Sequence, residues 1–188
     1  MINLWRALRF TIVFAILLGI LYPLAVTGLS RVLFPYQAAG SLVQWNGRIV
    51  GSELIAQPVT DPGLFWPRPS AVSYAANGSG GSNLGPTNPA LVKEVQRNIK
   101  SVGVDRGTSV AVIPPDMVES SASGLDPDIS VPNARLQIPR IAKATGLSPA
   151  TLQTLVTQHV QGPFLGLWGV RMVNVMDLNL AVKKQLGQ

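Results

Sequence analysis

From Phe10 to Ser30 the chain reads FTIVFAILLGILYPLAVTGLS, with no charged residue and with Arg9 and Arg31 just beyond its ends. As an α-helix this stretch would cover roughly 31 Å, the thickness of a bilayer's hydrocarbon core. Whatever else the chain forms, residues 10–33 are expected to be a transmembrane helix. Its flanks set an orientation, because positive charge beside a span is retained in the cytoplasm. Arg6, Arg9 and the amino terminus precede the span with no acid among them, whereas Arg31 alone follows it before Arg48. Residues 1–9 therefore read as a cytoplasmic tail and residues 34–188 as one extracytoplasmic domain. The competing reading is a cleavable signal peptide with a poor cleavage site at Ala25-Val26-Thr27. Its apolar core would run about 7–15 residues, shorter than this one.

Within the span, Ala15, Gly19, Tyr22, Val26 and Ser30 fall on one side at helical spacing, and the bulkier Leu17, Leu18, Leu21 and Leu24 lie largely elsewhere. Small residues four apart let a second helix approach closely, a main source of helix association in lipid. Ala15, Gly19, Tyr22 and Pro23 are thus a candidate helix–helix interface, with Pro23 expected to kink the span. The alternative is a plain anchor whose small residues are incidental.

Beyond the span about 155 residues remain, enough for a single domain with a real core. The formal charge of +6 is scattered, without the clustered basic patch that nucleic-acid binding needs. The lack of cysteine excludes a disulfide framework and thiolate metal sites. The pattern of short strand and helix signals predicts a mixed α+β domain.

Leu42 to Val50, with Asn46-Gly47 at its centre, reads as a hairpin on a type I′ turn, and Ser52–Ala56 extends its second strand. From Gln57, Pro58, Pro62, Pro67 and Pro69 rule out a helix or a central strand. Phe65, Trp66 and Tyr74 sit among these prolines, so the loop is expected to fold back on the domain.

Asn77 to Pro89 reads NGSGGSNLGPTNP. A phosphate-cradling loop would bring a lysine, and none comes after it here. Gly80, Gly81 and Gly85 are expected to take backbone angles closed to other residues, with Pro86 locking the backbone after them. Asn88 caps an expected helix with Pro89 at its first position, a stripe of Leu91, Val95, Ile99 and Val102, and an end at Gly103. Lys93, Arg97 and Lys100 form its solvated face.

Val110–Ile113 is a strand candidate, after which the acids Asp116, Glu119, Asp126 and Asp128 gather. Asp126 and Asp128 alone do not supply the oxygen ligands of a calcium loop, so Gly124-Leu125-Asp126-Pro127 is read as a tight turn. Helices are expected from Pro132 to Thr145, kinked at Pro139 with Ala134, Ile138, Ile141 and Ala142 inward, and from Pro149 onward behind a Ser148 cap. The stripe of the second is Leu152, Leu155, Val156 and Val160, with His159 near its end in a capping or surface role. Arg171-Met172-Val173 reads as a strand, and Asn174 caps a last helix with Asp177 at its third position and Leu178, Ala181 and Val182 inward.

No catalytic residue, metal ligand or cofactor site is evident. His159 has no nucleophile-elbow companion. A membrane-anchored periplasmic Ser-Lys hydrolase is the alternative reading, yet Lys93, Lys100, Lys143, Lys183 and Lys184 all fall on faces that look solvated.

The order of segments, with GSELIAQ (51–57), F-x-x-RPSA (Phe65, Arg68–Ala71), SGGSNLGPTNP (79–89), SGLDPDIS (123–130) and VNVMDLNLA (173–181) after one anchor, resembles the C subunit of the Kdp high-affinity potassium-transporting P-type ATPase of bacteria. The resemblance spans nearly the whole chain. It implies an accessory subunit of the inner membrane, needed for assembly and activity, with ATP and potassium handled by partner ATP-hydrolysing and ion-translocating subunits. It also implies a raised ATP affinity of the catalytic partner, which an extracytoplasmic domain makes indirect. Ser79, Gly80, Gly81, Ser82, Asn83, Gly85, Pro86, Asn88, Gly124, Asp126 and Pro127 are the motif positions proposed for partner contact or structure. Two departures stand out: Asp128 replaces the usual histidine of GLDPHIS, and Trp168-Gly169-Val170 replaces the usual Gly-Glu-Pro before Arg171.

Overall fold

The computed structural model describes residues 2–102 and 109–187. The chain forms two compact units, 1–50 and 51–188. In the first, α1 (Ile2–Ile16), a π-helical turn (Leu17–Leu21) and α2 (Tyr22–Leu33) run on from one another without a break. Residues Asn3–Leu33 are long and apolar enough to cross a membrane, and none of their side chains is buried. The π turn sits where Pro23 demands it. Pro23 has no amide to give to the Gly19 carbonyl, and its ring would crowd that oxygen. The backbone widens instead, and the Tyr22 amide donates to the Leu17 carbonyl. An i→i+5 turn holds one residue more than an α turn, so everything beyond it is turned back by roughly 100°. The even register assumed for Ala15, Gly19, Tyr22, Val26 and Ser30 is therefore interrupted.

After α3 (Pro35–Ala38), strands β1 (Leu42–Trp45) and β2 (Arg48–Ser52) form the expected hairpin. Asn46 and Gly47 at its tip have φ of 50° and 75°, the two positive values a type I′ turn needs. Strand β2 stops at Ser52 without continuing to Ala56, because the Ala56 amide donates to the Leu125 carbonyl instead.

The second unit contains α4 (Pro89–Ser101), a 3₁₀ turn (Val110–Val112), α5 (Pro115–Val118), β3 (Asp128–Ser130), α6 (Val131–Thr145), α7 (Pro149–Gln158), β4 (Val160–Gln161), β5 (Met172–Asn174) and α8 (Val175–Gln185). Three antiparallel strands lie in the order β3-β5-β4, with Ile129 opposite Val173 and Val173 opposite Val160. Three sequence expectations are corrected here. In place of the expected strand at Val110–Ile113, Val110–Val112 is a 3₁₀ turn capped by Ser109. Val160 has left the helix and lies in β4. The turn at Gly124–Pro127 feeds a short strand, β3, before the helix begins. Gly103, the expected end of α4, lies outside the described residues. Helix α6 continues past Pro139 to an end at Gly146, whose φ is 76°.

The core is built from Ile129, Ala134, Ile138, Ile141, Leu152, Leu155, Val156, Val173, Val175, Leu178 and Val182, together with Phe65 from the proline-rich loop. The inward stripes of α6, α7 and α8 thus meet as their spacing requires. Asn88, Ser148 and Asn174 all cap as expected, each side chain accepting amides of the first turn.

What the spacing did not foretell is how Phe65 is held. Asn179 of α8 accepts from the Phe65 amide at 2.7 Å and donates to the Phe65 carbonyl at 2.9 Å. Gln137 of α6 does the same for Trp66, at 2.8 and 3.1 Å. Replacing Asn179 with Leu keeps the volume and strands both Phe65 backbone groups in the core. The expected cost is about 3 kcal/mol of unfolding free energy, with a lowered melting temperature in detergent. An unchanged melting curve would show that the clamp contributes nothing.

Candidate functional site

Three of the sequence motifs converge in one junction. The Ser70 hydroxyl donates to the Gly124 carbonyl at 2.7 Å and accepts the amides of Val72 and Tyr74. The Ser121 amide donates to the Pro69 carbonyl. The Gly80 amide and the Ser79 hydroxyl both donate to the Ser123 carbonyl, at 2.9 and 3.0 Å. Arg68 pairs with Asp126 at 3.1 Å, and the Tyr74 hydroxyl donates to the Arg68 carbonyl. The Pro127 carbonyl accepts from Val175, tying the junction to the start of α8. RPSA, SGG and SGLDP therefore form one surface, stitched by backbone groups from three separate segments.

The glycines matter here for reasons that differ from expectation. None of Gly80, Gly81 and Gly85 takes a positive φ; in the loop that angle belongs to Asn83, at 54°. Gly81 is needed for space, since a Cβ there would stand 2.9 Å from the Ala122 carbonyl oxygen. Gly124 is needed twice over: its φ is 68°, and a Cβ would collide with a Val72 methyl and stand 2.7 Å from the Gly80 carbonyl oxygen. Gly85 has open space around it. Asn88 caps α4 and the amide of Asn88 bonds the Gly85 carbonyl. So Ser79, Gly80, Gly81, Gly124, Asp126 and Pro127 are brought together, while Ser82, Asn83, Gly85, Pro86 and Asn88 form the outgoing arm of the loop. Ala15, Gly19, Tyr22 and Pro23 belong to the first unit and lie exposed along its helix.

A polar ladder lies behind the proline-rich loop. The Asp116 carboxylate accepts from the Ser130 amide, the Ser130 hydroxyl and the Asn133 side chain at 2.8–3.0 Å. Asn133 in turn accepts from Gln137 at 2.8 Å. Arg140 donates to Gln137 and to the carbonyls of Pro62 and Leu64, with its guanidinium 3.8 Å over the Trp66 ring. Burial lowers the Arg140 pKa to about 10, with Asp61 opposing the shift. A cleft of about 200 Å³ opens beside this ladder, lined by Trp66, Pro69, Tyr74, Asn98, Met117 and Gln137, among others. Burial raises the Tyr74 pKa. Gln137, Asn133 and Asn179 escaped sequence reasoning. Their one signal was an amide side chain at an inward helical position.

The acids are employed separately: Asp116 in the ladder, Asp126 with Arg68, and Asp128 on β3. Among the described residues no three histidine, cysteine, aspartate or glutamate side chains converge as metal ligands would. The Ser70, Ser79 and Ser123 hydroxyls are all committed to backbone groups. His159 caps α7, one ring nitrogen 2.8 Å from the Leu155 carbonyl oxygen. Lys93, Arg97 and Lys100 are exposed on α4.

Likeness to known proteins extends over almost the full length of the chain. The family model described as K+-transporting ATPase, c chain, matches residues 4–184. The chain belongs to that family. It is 46% identical over 182 residues to the potassium-transporting ATPase KdpC subunit of Caldanaerobacter subterraneus, covering 96% of this chain and 94% of the relative. The KdpC subunit of Variovorax paradoxus is 50% identical over 169 residues, 88% of each chain. That of Polaromonas naphthalenivorans is 49% identical over 179 residues, 94% of this chain and 91% of the relative.

The junction and Asp128 each yield a testable outcome. Gly124→Ala should lower the melting temperature clearly and Gly81→Val should do so too, whereas Gly85→Ala should leave it unchanged; equal effects at the three positions would refute the spatial argument. The Asp128 carboxyl is raised above its ordinary value of 3.8, chiefly by burial and then by Asp126, with Asp177 adding and an Asn174 hydrogen bond opposing. Its Oδ1 takes no hydrogen bond among the described residues. A raised carboxyl binds its proton more tightly folded than unfolded, so its ionisation subtracts stability as pH rises through and above 3.8. Asp128→Asn should therefore raise the melting temperature at pH 7. The gain should fade as the pH falls below the ordinary carboxyl value. A gain independent of pH would contradict this cause.

Proposed function

We propose that the chain is an accessory, non-catalytic subunit of an ATP-driven potassium uptake complex, held in the bacterial inner membrane by one helix. The observation that carries this reading is the family match over residues 4–184. The commitment of the junction's hydroxyls and of Asp116 and Asp126 to structural bonds supports it, because such groups are unready for nucleophilic or acid–base work. Its partners on this reading are the ion-translocating and ATP-hydrolysing subunits, which handle potassium and ATP, and the subunit serves their assembly and activity. The Arg6 and Arg9 flank favours a cytoplasmic amino terminus and a periplasmic domain of residues 34–188. Any effect on the ATP affinity of the catalytic partner is then coupling through the assembled complex.

A tagged copy purified in mild detergent should bring the two large subunits with it, and alone it should hydrolyse no ATP. Protease added to spheroplasts should remove the bulk of the chain, and inside-out vesicles should protect it. Recovery without companions would reject the subunit reading, and protection in spheroplasts would reject the orientation.

A further inference from the structure

The segment Gly162–Val170 reads GPFLGLWGV and takes no part in the core, the junction or the polar ladder. It folds as a tight loop between β4 and β5, closed by a bridge between Phe164 and Trp168. Leu165 and Gly166 take φ of 52° and 73° at its tip. Phe164, Leu165, Leu167, Trp168 and Val170 are 61–74% exposed, in a unit whose core side chains Phe65, Leu152, Val173 and Leu178 are fully buried. Isolated exposed apolar residues are ordinary, but five large ones within seven positions of one loop mark a contact surface.

The loop's chemistry favours a lipid occupant. Its apolar side chains are all similarly exposed, and a bilayer accepts such a tip without a matching socket. Four of its amides are paired within it: Phe164 donates to the Trp168 carbonyl, Trp168 and Leu167 to the Phe164 carbonyl, and Gly166 to the Pro163 carbonyl, at 2.7–3.1 Å. Each amide paired internally lowers the cost of leaving water for a bilayer. The side chains from Gly162 to Val170 carry no charge, and the indole of Trp168 with the exposed Arg171 beyond it matches the composition of membrane–water interfaces. The apolar helix Asn3–Leu33 supplies the bilayer on the same chain.

We propose that the Gly162–Val170 loop inserts its tip into the interfacial region of the bilayer, as a second membrane contact of the chain. This rests on the reading of the chain as a membrane-anchored subunit. A second attachment would restrict the tilt and spin of the domain at the bilayer.

The test uses the full chain reconstituted in phosphatidylcholine–phosphatidylglycerol vesicles, with and without bromine on the acyl chains. Subtracting the signal of Trp168→Phe isolates Trp168 from Trp5, Trp45 and Trp66. Brominated lipid should remove most of the Trp168 emission, and Leu165→Ser with Leu167→Ser should restore much of it. Quenching of Trp168 by aqueous iodide but not by brominated lipid would overturn the proposal. Shielding from both would overturn it as well, showing the loop covered by a second copy. Retention of the chain after a carbonate wash reports the spanning helix separately, so failure of the anchor and failure of the loop are told apart.

Discussion

A proline-rich segment that cannot join a sheet still has peptide groups to satisfy, and the second unit is arranged around the way two of them are satisfied. Asn179 and Gln137 each offer an amide to one residue's backbone, both its N–H and its C=O, at Phe65 and Trp66. The side chains thereby do what a neighbouring strand would do. Phe65 is drawn into the core, and α6 and α8 are tied to a common segment in addition to their apolar contacts. Because the peptide groups of Phe65 would be costly to bury unpaired, the clamp and the ring's burial depend on each other.

From that fixed point the chain runs into the junction of RPSA, SGG and SGLDP. The junction has little apolar content and is held by backbone hydrogen bonds, one ion pair and close approaches that only glycine permits at 81 and 124. Such a surface is fixed in shape by its connectivity.

Legibility in the sequence tracked the range of the physics involved. Asn88, Ser148 and Asn174 were readable as caps because a cap is decided within three residues, and the Asn46-Gly47 turn for the same reason. The stripes of α6, α7 and α8 were readable because helical spacing is periodic, and the long apolar helix because an uncharged run of that length has few other forms. Strand β3 was missed since three residues between a turn and a helix carry no period. The clamps were missed since Asn179 lies 114 residues from its partner and Gln137 lies 71 from its own. The glycines were recognised as meaningful, but conformational freedom and lack of bulk look the same in a sequence. At Gly81 the second applies, and at Gly124 both do.

The π turn at Leu17–Leu21 gives the apolar helix the geometry of one carrying an inserted residue. The half before it and the half after it are each regular, yet out of phase by about one residue's step. A chain shortened by one residue within 17–21, with Pro23 also replaced, would regain a single phase and swing its outer half around by roughly 100° while staying long enough to span. Helices of equal length and hydropathy can thus differ in which sides they present to the two leaflets. In a span of this kind the counting of residues, as much as their identity, decides which faces a neighbour would meet.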